Sequence, residues 1–490
     1  MAGTSESRSV IEFRPILRVV GYLLIGLAAL MLIPAAVDAG FANPDWKVFL
    51  TAAAATAFVG GALIASTSGG QSFDLGLKQA FLLTAACWLA MAAFGALPLL
   101  GLGLDYTDAF FEAISGITTT GSTVIVGLDA SPPGILLWRS LLQWVGGVGI
   151  VVMAIVILPF LRIGGMQLFQ TESSERAEKV LPNVFQLATW ITMLYIFLTV
   201  ACIVAYVVTG MSLFDAICHA MTTLSTGGYS THDASFSYFT NPAAHWAATV
   251  FMLAGAFPFV VYIKMARGHP KALWQNPQVR GLVRFLLLSV GAMTLWLYFT
   301  TSDGLWTALR LSAFNIVSVV TTTGFATADY GQWGALAVGA FLMLIFVGGC
   351  TGSTAGGMKV YRHQVLWIVI RAQLLRLASP RRVVPLVYGG RILPEDVPAS
   401  VLAFTAVFMA TVALFTVLLG AMGLDLVTAL SASATAISNV GPGLGPIIGP
   451  AGNFATLPDA GKWLLSIAML LGRLEIFTVL VLLDPQFWRT

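Results

Sequence analysis

Ile117–Thr123 reads ITTTGST, and Val320–Phe325 reads VTTTGF. These polar runs ending in glycine sit inside stretches that look buried in lipid. The chain is 58% apolar and only 10% charged, where a soluble domain carries about 25% charged residues. It reads as an all-α polytopic integral membrane protein. Apolar runs near 18–37, 48–66, 79–100, 135–161, 184–209, 245–263, 281–300, 333–371, 397–423 and 462–484 reach the length of about 20 residues that spans a bilayer. About ten transmembrane helices are expected, the eighth run being too long for one plain helix. Arg8, Glu12, Arg14 and Arg18 precede a run of full spanning length, so the first span is expected to be retained rather than cleaved as a signal peptide.

The threonine runs belong to a unit used four times: a span, a short amphipathic stretch, a polar loop with glycine, and another span. The short stretches are DAFFEAISGI from Asp108, FDAICHAMTT from Phe214, ALRLSAFNIV from Ala308 and LVTALSASATAI from Leu426. Each is about half the length needed to cross. The loops after them read TTTGS at Thr118, LSTGG at Leu224, TTTGF at Thr321 and SNVGPG at Ser438. Irregular backbone at membrane depth is tolerated only where protein buries it or where it lines a water-filled path. Four half-helices entering from one side and ending at a common axis satisfy that condition. Backbone carbonyls there can replace the hydration shell of a cation, and glycine permits the turn that aims them. Threonine is compact and adds a hydroxyl, and the C-terminal end of each half-helix dipole is negative. Small residues also serve close helix packing, which accounts for Gly60, Gly61, Gly146 and Gly147 but not for a half-length helix before every loop.

Lysine and arginine set the orientation. With an even number of spans both termini share the basic side, where 1–18, 162–183, 264–284 and 359–391 hold three, three, five and seven of the 25 Lys and Arg residues. Asp105, Asp108, Glu112, Asp129, Asp215, Asp233, Asp303, Asp329, Asp425 and Asp459 fall on the opposite side, a distribution expected to draw cations to the outer mouth. Cys87, Cys202, Cys218 and Cys350 are scattered through apolar surroundings, and the histidines show no ligand spacing, so neither a disulfide framework nor a metal site is indicated.

The four loops, in their contexts Cys218–Asp233, Val319–Tyr330 and Ala436–Gly445, together with GGCTGSTAGGMK (Gly348–Lys359) and GRLEIFTVLVL (Gly472–Leu482), resemble the Trk-type potassium-uptake membrane subunits of bacteria, within the Trk/Ktr/HKT superfamily of cation transporters. The resemblance runs from about residue 10 to the C-terminus. It implies four span–pore helix–span units, pseudo-fourfold around one ion path, after a two-span extension. The segments would be 1–74 for the extension and 75–170, 171–270, 271–385 and 386–490 for the units. It implies K⁺ as the transported ion, with no organic cofactor, held by backbone oxygens just before each filter glycine. Carried onto this sequence, the filter is Thr119, Thr120 and Gly121; Ser225, Thr226 and Gly227; Thr322, Thr323 and Gly324; and Asn439, Val440 and Gly441. It further implies a homodimer in the bacterial inner membrane with both termini cytoplasmic, and a cytosolic, nucleotide-binding, TrkA-like regulatory subunit; no nucleic acid is implied as a partner.

Within the eighth apolar run, Gly348–Gly357 has five glycines in ten positions. At about 1 kcal/mol per glycine in a helix interior, these should unwind it. In the resembling family the corresponding loop is a movable gate, here Gly348, Gly349, Thr351, Gly352, Ser353, Gly356 and Gly357. A phosphate-cradling loop is disfavoured, since GSTAGGMK follows no strand and lacks the lysine–serine/threonine ending. Arg473 is the one basic residue that reads as lying well inside a span, where charge marks an ion route. It is expected to raise the barrier to a cation and to bond the gate's carbonyls; pairing with Glu475 is the plainer alternative. A sodium-permeable or proton-coupled symporter is the second reading, and a polytopic intramembrane enzyme the reading from another class.

Overall fold

The computed structural model describes residues 12–68, 76–156, 184–302 and 304–489. Arg8, Asp303, the basic segment 162–183 and the expected segment boundaries at 74/75 and 170/171 lie outside them. Helices α1 (Arg14–Gly40) and α2 (Trp46–Thr67) form an antiparallel pair. Gly21 and Gly60 face each other so closely that a Cβ on either would lie 2.9 Å from the other's carbonyl oxygen, the backbone approach that small residues allow in membranes. Gly61 faces open space instead, so packing does not explain it.

Four units follow. The first is α3 (Leu77–Gly95), α4 (Tyr106–Ile117) and α5 (Pro133–Val156). The second is α6 (Val184–Val208), α7 (Leu213–Leu224), α8 (Pro242–Ala256) and α9 (Phe259–Ala266). The third is α10 (Pro277–Thr300), α11 (Leu305–Val320), α12 (Ala335–Leu344) and α13 (Val360–Ala378). The fourth is α14 (Asp396–Ala421), α15 (Leu426–Ser438), α16 (Asp459–Arg473) and α17 (Ile476–Leu480). The half-helices are α4, α7, α11 and α15, of 12, 12, 16 and 13 residues. Each packs between the two spans of its own unit. In addition α5 packs on α7, α8 on α11, and α16 on α4, so the fourth unit closes on the first.

Every expected apolar run carries helix, but not every run is one rod. Among the described residues seven helices are long and apolar enough to cross. The α8/α9 pair bends by 95° and the pair running from Asp459 to Leu483 by 110°, while the eighth run splits into α12 and α13 around the glycine-rich loop. The two bends were not legible in composition. One falls at Phe257–Pro258, where proline removes a helical N–H donor. The other falls at Glu475, which takes φ 62°. Lys359, at the start of α13, takes φ 64°, so both lower segments of the last two units begin at a residue in a backbone region that side-chain-bearing residues rarely enter. Among the described residues one element is extended rather than helical: Val387–Tyr388 pairs antiparallel with Arg391–Ile392. Gly389 and Gly390 turn it at φ 59° and 85°, the positive values a tight hairpin turn requires.

Candidate functional site

All four half-helices end in the same way, and three of them carry a side-chain cap at their start. Asp105, Ser212 and Asp425 cap α4, α7 and α15, accepting from the N–H groups of Asp108, Asp215 and Thr428. At the other end one residue enters the left-handed region: Thr119 at φ 53°, Thr226 at 53°, Thr322 at 59° and Asn439 at 53°. Around it the paired hydrogen bonds of a Schellman motif form: Thr119 N–H to Gly116 O and Thr120 N–H to Ser115 O in the first loop, with the same register at Thr226/Gly227, Thr322/Thr323 and Asn439/Val440. Asparagine tolerates this geometry, but a β-branched residue pays about 1–2 kcal/mol for it. Strain repeated at three equivalent positions is characteristic of functional backbone.

Two residues after each strained position stands a glycine with positive φ: Gly121 (88°), Gly228 (77°), Gly324 (84°) and Gly441 (107°). In the second loop this residue is Gly228 rather than the expected Gly227. Gly227 occupies the position of Thr120, Thr323 and Val440, and Ser225 falls one place before the strained residue. Two consecutive glycines left the register open in the sequence; the helix, which runs to Leu224, decides it.

The four glycines meet in a ring. A Cβ on Gly121 would lie 2.1 Å from Gly227 O, on Gly228 1.8 Å from Thr323 O, on Gly324 2.1 Å from Val440 O, and on Gly441 2.8 Å from Thr120 O. Each loop thus touches the carbonyl of the next, and the last returns to the first. Side chains lock the ring: Thr118 and Thr120 hydroxyls lie 2.7 Å apart, Thr321 and Thr323 2.8 Å apart. Asn439 Nδ2 donates to Thr120 Oγ1 and to Met469 O, each at 2.9 Å, and Ser122 Oγ donates to Gly441 O at 2.9 Å.

The second spans pass directly beneath the half-helix ends. Gly146 lies against Ile117 O and Gly472 against Ile437 O, where a Cβ would come within 1.9 Å; this confirms close packing as the use of Gly146. The glycine-rich loop sits below the ring and is bonded to it. Gly356 N–H donates to Thr322 Oγ1 at 2.7 Å. Thr354 Oγ1 lies 3.0 Å from both Leu224 O and Gly255 O and accepts from Thr226 Oγ1 at 3.3 Å. Gly348, Gly352 and Gly357 supply its positive-φ turns. Gly349 O accepts from Val360 N–H, Thr351 N–H donates to Gln278 Oε1 at 2.8 Å, and Ser353 Oγ to Cys350 O at 2.6 Å.

Arg473 is buried and donates through Nη1 to Thr354 O at 3.0 Å and through Nη2 to Gly146 O at 3.4 Å. Glu475 instead pairs with Arg362, 2.7 Å away, so the plainer alternative for Arg473 falls. Ile150, Thr351, Ser353, Gly356, Lys359 and Arg473 help to line a cavity of about 30 Å³.

Two expectations about charge need correction. Arg473 is not the only deeply buried basic residue: Arg139 is 1% and Arg362 2% exposed. Glu112, expected at the outer mouth, is fully buried on α4. Its carboxylate accepts from Arg139 Nε at 2.8 Å, Val124 N–H at 2.9 Å and Thr123 Oγ1 at 3.0 Å, while Arg139 also donates to Ser230 O at 2.9 Å and lies over the Tyr229 ring. Other outer acids are likewise engaged. Asp108 pairs with Lys462 at 2.5 Å, Asp233 accepts from Gly127 and Leu128 N–H, and Asp129 lies 2.5 Å from His232, which stacks on Tyr238. Burial opposes the charged imidazole, but Asp215 and Asp129 outweigh it and raise the His232 pKa; the His232 bond in turn lowers that of Asp129. These acids knit the outer loops together, and their field at the mouth is partly neutralised. Among the described residues no histidine, cysteine and carboxylate group is arranged to hold a metal, and Cys87, Cys202 and Cys218 form no disulfide.

Sequence reasoning missed Gln143, Thr354 and the Glu112–Arg139 pair. Only the last carried a signal, as two opposite charges in otherwise apolar segments.

Residues 46–489 match the family model described as TrkH, cation transport protein. The chain is 47% identical over 486 residues to the Trk system potassium uptake protein TrkI of Halomonas elongata, covering 98% of this chain and 97% of that protein. It is 36% identical to the Trk system potassium uptake protein TrkH of Escherichia coli, covering 98% and 100%. The crystal structure of the potassium transporter TrkH from Vibrio parahaemolyticus superposes with a TM-score of 0.90 at 37% identity, over 98% of this chain and all of that one. These relatives are uptake proteins and transporters, so the enzyme reading falls away. With the four-loop ring in place and the match running almost end to end, the chain belongs to the TrkH family of cation transport proteins.

Proposed function

We propose that this chain is the membrane-spanning subunit of a potassium-uptake system, passing K⁺ inward through the ring of four loops. The observation that carries this reading is the ring's closure: four loops with a left-handed residue in one register, each against the carbonyl of the next. Backbone oxygens of Thr119 and Thr120, Thr226 and Gly227, Thr322 and Thr323, and Asn439 and Val440 are the ligands of the dehydrated ion, with Gly121, Gly228, Gly324 and Gly441 permitting the turns. Carbonyl oxygens at fixed positions replace hydration oxygens without adding a full negative charge. The chain sits in a bacterial inner membrane with both termini cytoplasmic, as a homodimer. A TrkA-like nucleotide-binding subunit docks on its basic inner face. The test is uptake of radioactive rubidium, and potassium-limited growth, in cells stripped of their own uptake systems; no gain over empty vector, with the protein in the membrane, refutes the reading.

The loop at Gly348–Gly357 is the gate. Its bonds to Thr322, Thr226 and Arg473 hold it closed beneath the filter, and its glycines let it move. A unit charge about 10 Å from a passing cation raises the ion's energy by about 1.7 kcal/mol at an effective dielectric of 20. Arg473→Ala removes both that charge and the bond to Thr354 O, and flux is expected to rise about tenfold. Rubidium efflux from proteoliposomes measures it; unchanged flux at normal protein density counts against the gate.

A further inference from the structure

Of the four residues that precede the ring glycines, Thr120, Thr323 and Val440 carry side chains and Gly227 carries none. The second loop therefore has two adjacent glycines where the others have one, and no side chain of its own at the residue before the ring glycine. The missing bulk comes from another unit. Gln143, fully buried on α5, fills the space: a Cβ on Gly227 would meet its carboxamide Cδ and Oε1 at 2.4 Å. The same carboxamide bonds the loop on both sides of Gly228, its Nε2 donating to Gly227 O at 2.7 Å and its Oε1 accepting from Tyr229 N–H at 3.0 Å. One turn away on the same helix, Arg139 holds Ser230 O. Helix α5 is thus a splint along residues 227–230.

We infer that Gln143 is a positioning residue that sets ion discrimination, by fixing the direction of the Gly227 carbonyl in the second loop. This rests on the reading of the ring as the ion filter. The Gly227 oxygen also faces Gly121 of the first loop, so its orientation is fixed from both sides. Without the carboxamide, Gly227 O and Tyr229 N–H lose this partner, and the paired glycines are free to swing the carbonyl. A filter distinguishes K⁺ from Na⁺ through the number and placement of its oxygens. A loosened oxygen that can close on a smaller ion relaxes that distinction more than it slows permeation.

Gln143→Leu keeps the bulk and removes both bonds. Rubidium uptake measured against increasing sodium, alongside direct sodium uptake, should show the K⁺-over-Na⁺ preference falling about tenfold. That is the effect of ~1.4 kcal/mol, on the scale of one or two neutral hydrogen bonds. Gly227→Ala, whose methyl expels the same carboxamide, should shift the ratio in the same direction and gives the reading if Gln143→Leu fails to reach the membrane. Combining Gly227→Ala with Gln143→Ala returns bulk to the loop in place of the lost side chain, and should recover part of the ratio relative to Gln143→Ala alone. An unchanged ratio in Gln143→Leu, or equal losses of both ions' uptake, overturns the inference and leaves Gln143 as packing. A wild-type chain that moves no rubidium overturns the filter reading instead.

Discussion

Gly228→Ala is expected to reduce rubidium uptake at least a hundredfold with the protein still present in the membrane. The added methyl would sit 1.8 Å from Thr323 O and 2.9 Å from its carbonyl carbon. Both atoms are backbone of the neighbouring loop and cannot rotate aside as a side chain can. The residue would also hold φ near 77°, which costs an L-residue about 1–2 kcal/mol before any clash. The loops touch in a closed cycle, so the displacement passes from the second loop to the third. At its neighbour the same change is milder, because a Cβ on Gly227 meets only the end of the Gln143 side chain. Uptake by the two variants side by side therefore tests the register. Near-normal transport by Gly228→Ala with complete loss in Gly227→Ala would restore the alignment that the sequence alone suggests.

The second large effect is on stability. Glu112→Ala is expected to destabilise the protein by about 3–5 kcal/mol, the consequence of leaving one partner of a buried ion pair unmatched. Arg139 would keep its bond to Ser230 O and its place over Tyr229 but lose its counter-ion in a site with 1% exposure. Val124 N–H and Thr123 Oγ1 would lose their acceptor as well. Denaturant or thermal unfolding in detergent measures the loss. Glu112→Gln with Arg139→Met, which removes both charges, should recover much of it, since a buried pair is often replaceable by uncharged groups of similar size. Equal stability of wild type and Glu112→Ala would mean that the pair braces nothing.

Much of the fold was open to inspection in the residues. Hydrophobic runs located the spans because a bilayer admits so few backbone solutions, and the threonine–glycine loops located the ring because polar backbone at that depth needs a reason. Arg473 donates to Thr354 O because a buried guanidinium must find oxygen. What escaped notice shares a cause. Gln143 and Thr354 are ordinary polar residues whose importance lies in which distant backbone atoms they meet, a matter of tertiary contact with no trace in local pattern. The second loop's register was hidden by paired glycines, and the burial of Glu112 by its nearness to other acids that do face outward. Bends at Pro258 and Glu475 arise from single residues inside runs whose average hydropathy they scarcely alter.

The last two units share a further property. Lys359 and Glu475 each begin a lower helical segment from a contorted backbone, at φ 64° and 62°, and Glu475 is tied to Arg362, three residues beyond Lys359, at 2.7 Å. Such conformations hold about 1–3 kcal/mol apiece, so each bend resembles a wound spring, and the ion pair yokes the two springs together. Neither segment can straighten alone without tearing a buried guanidinium from its carboxylate. A push delivered to either is therefore felt by both.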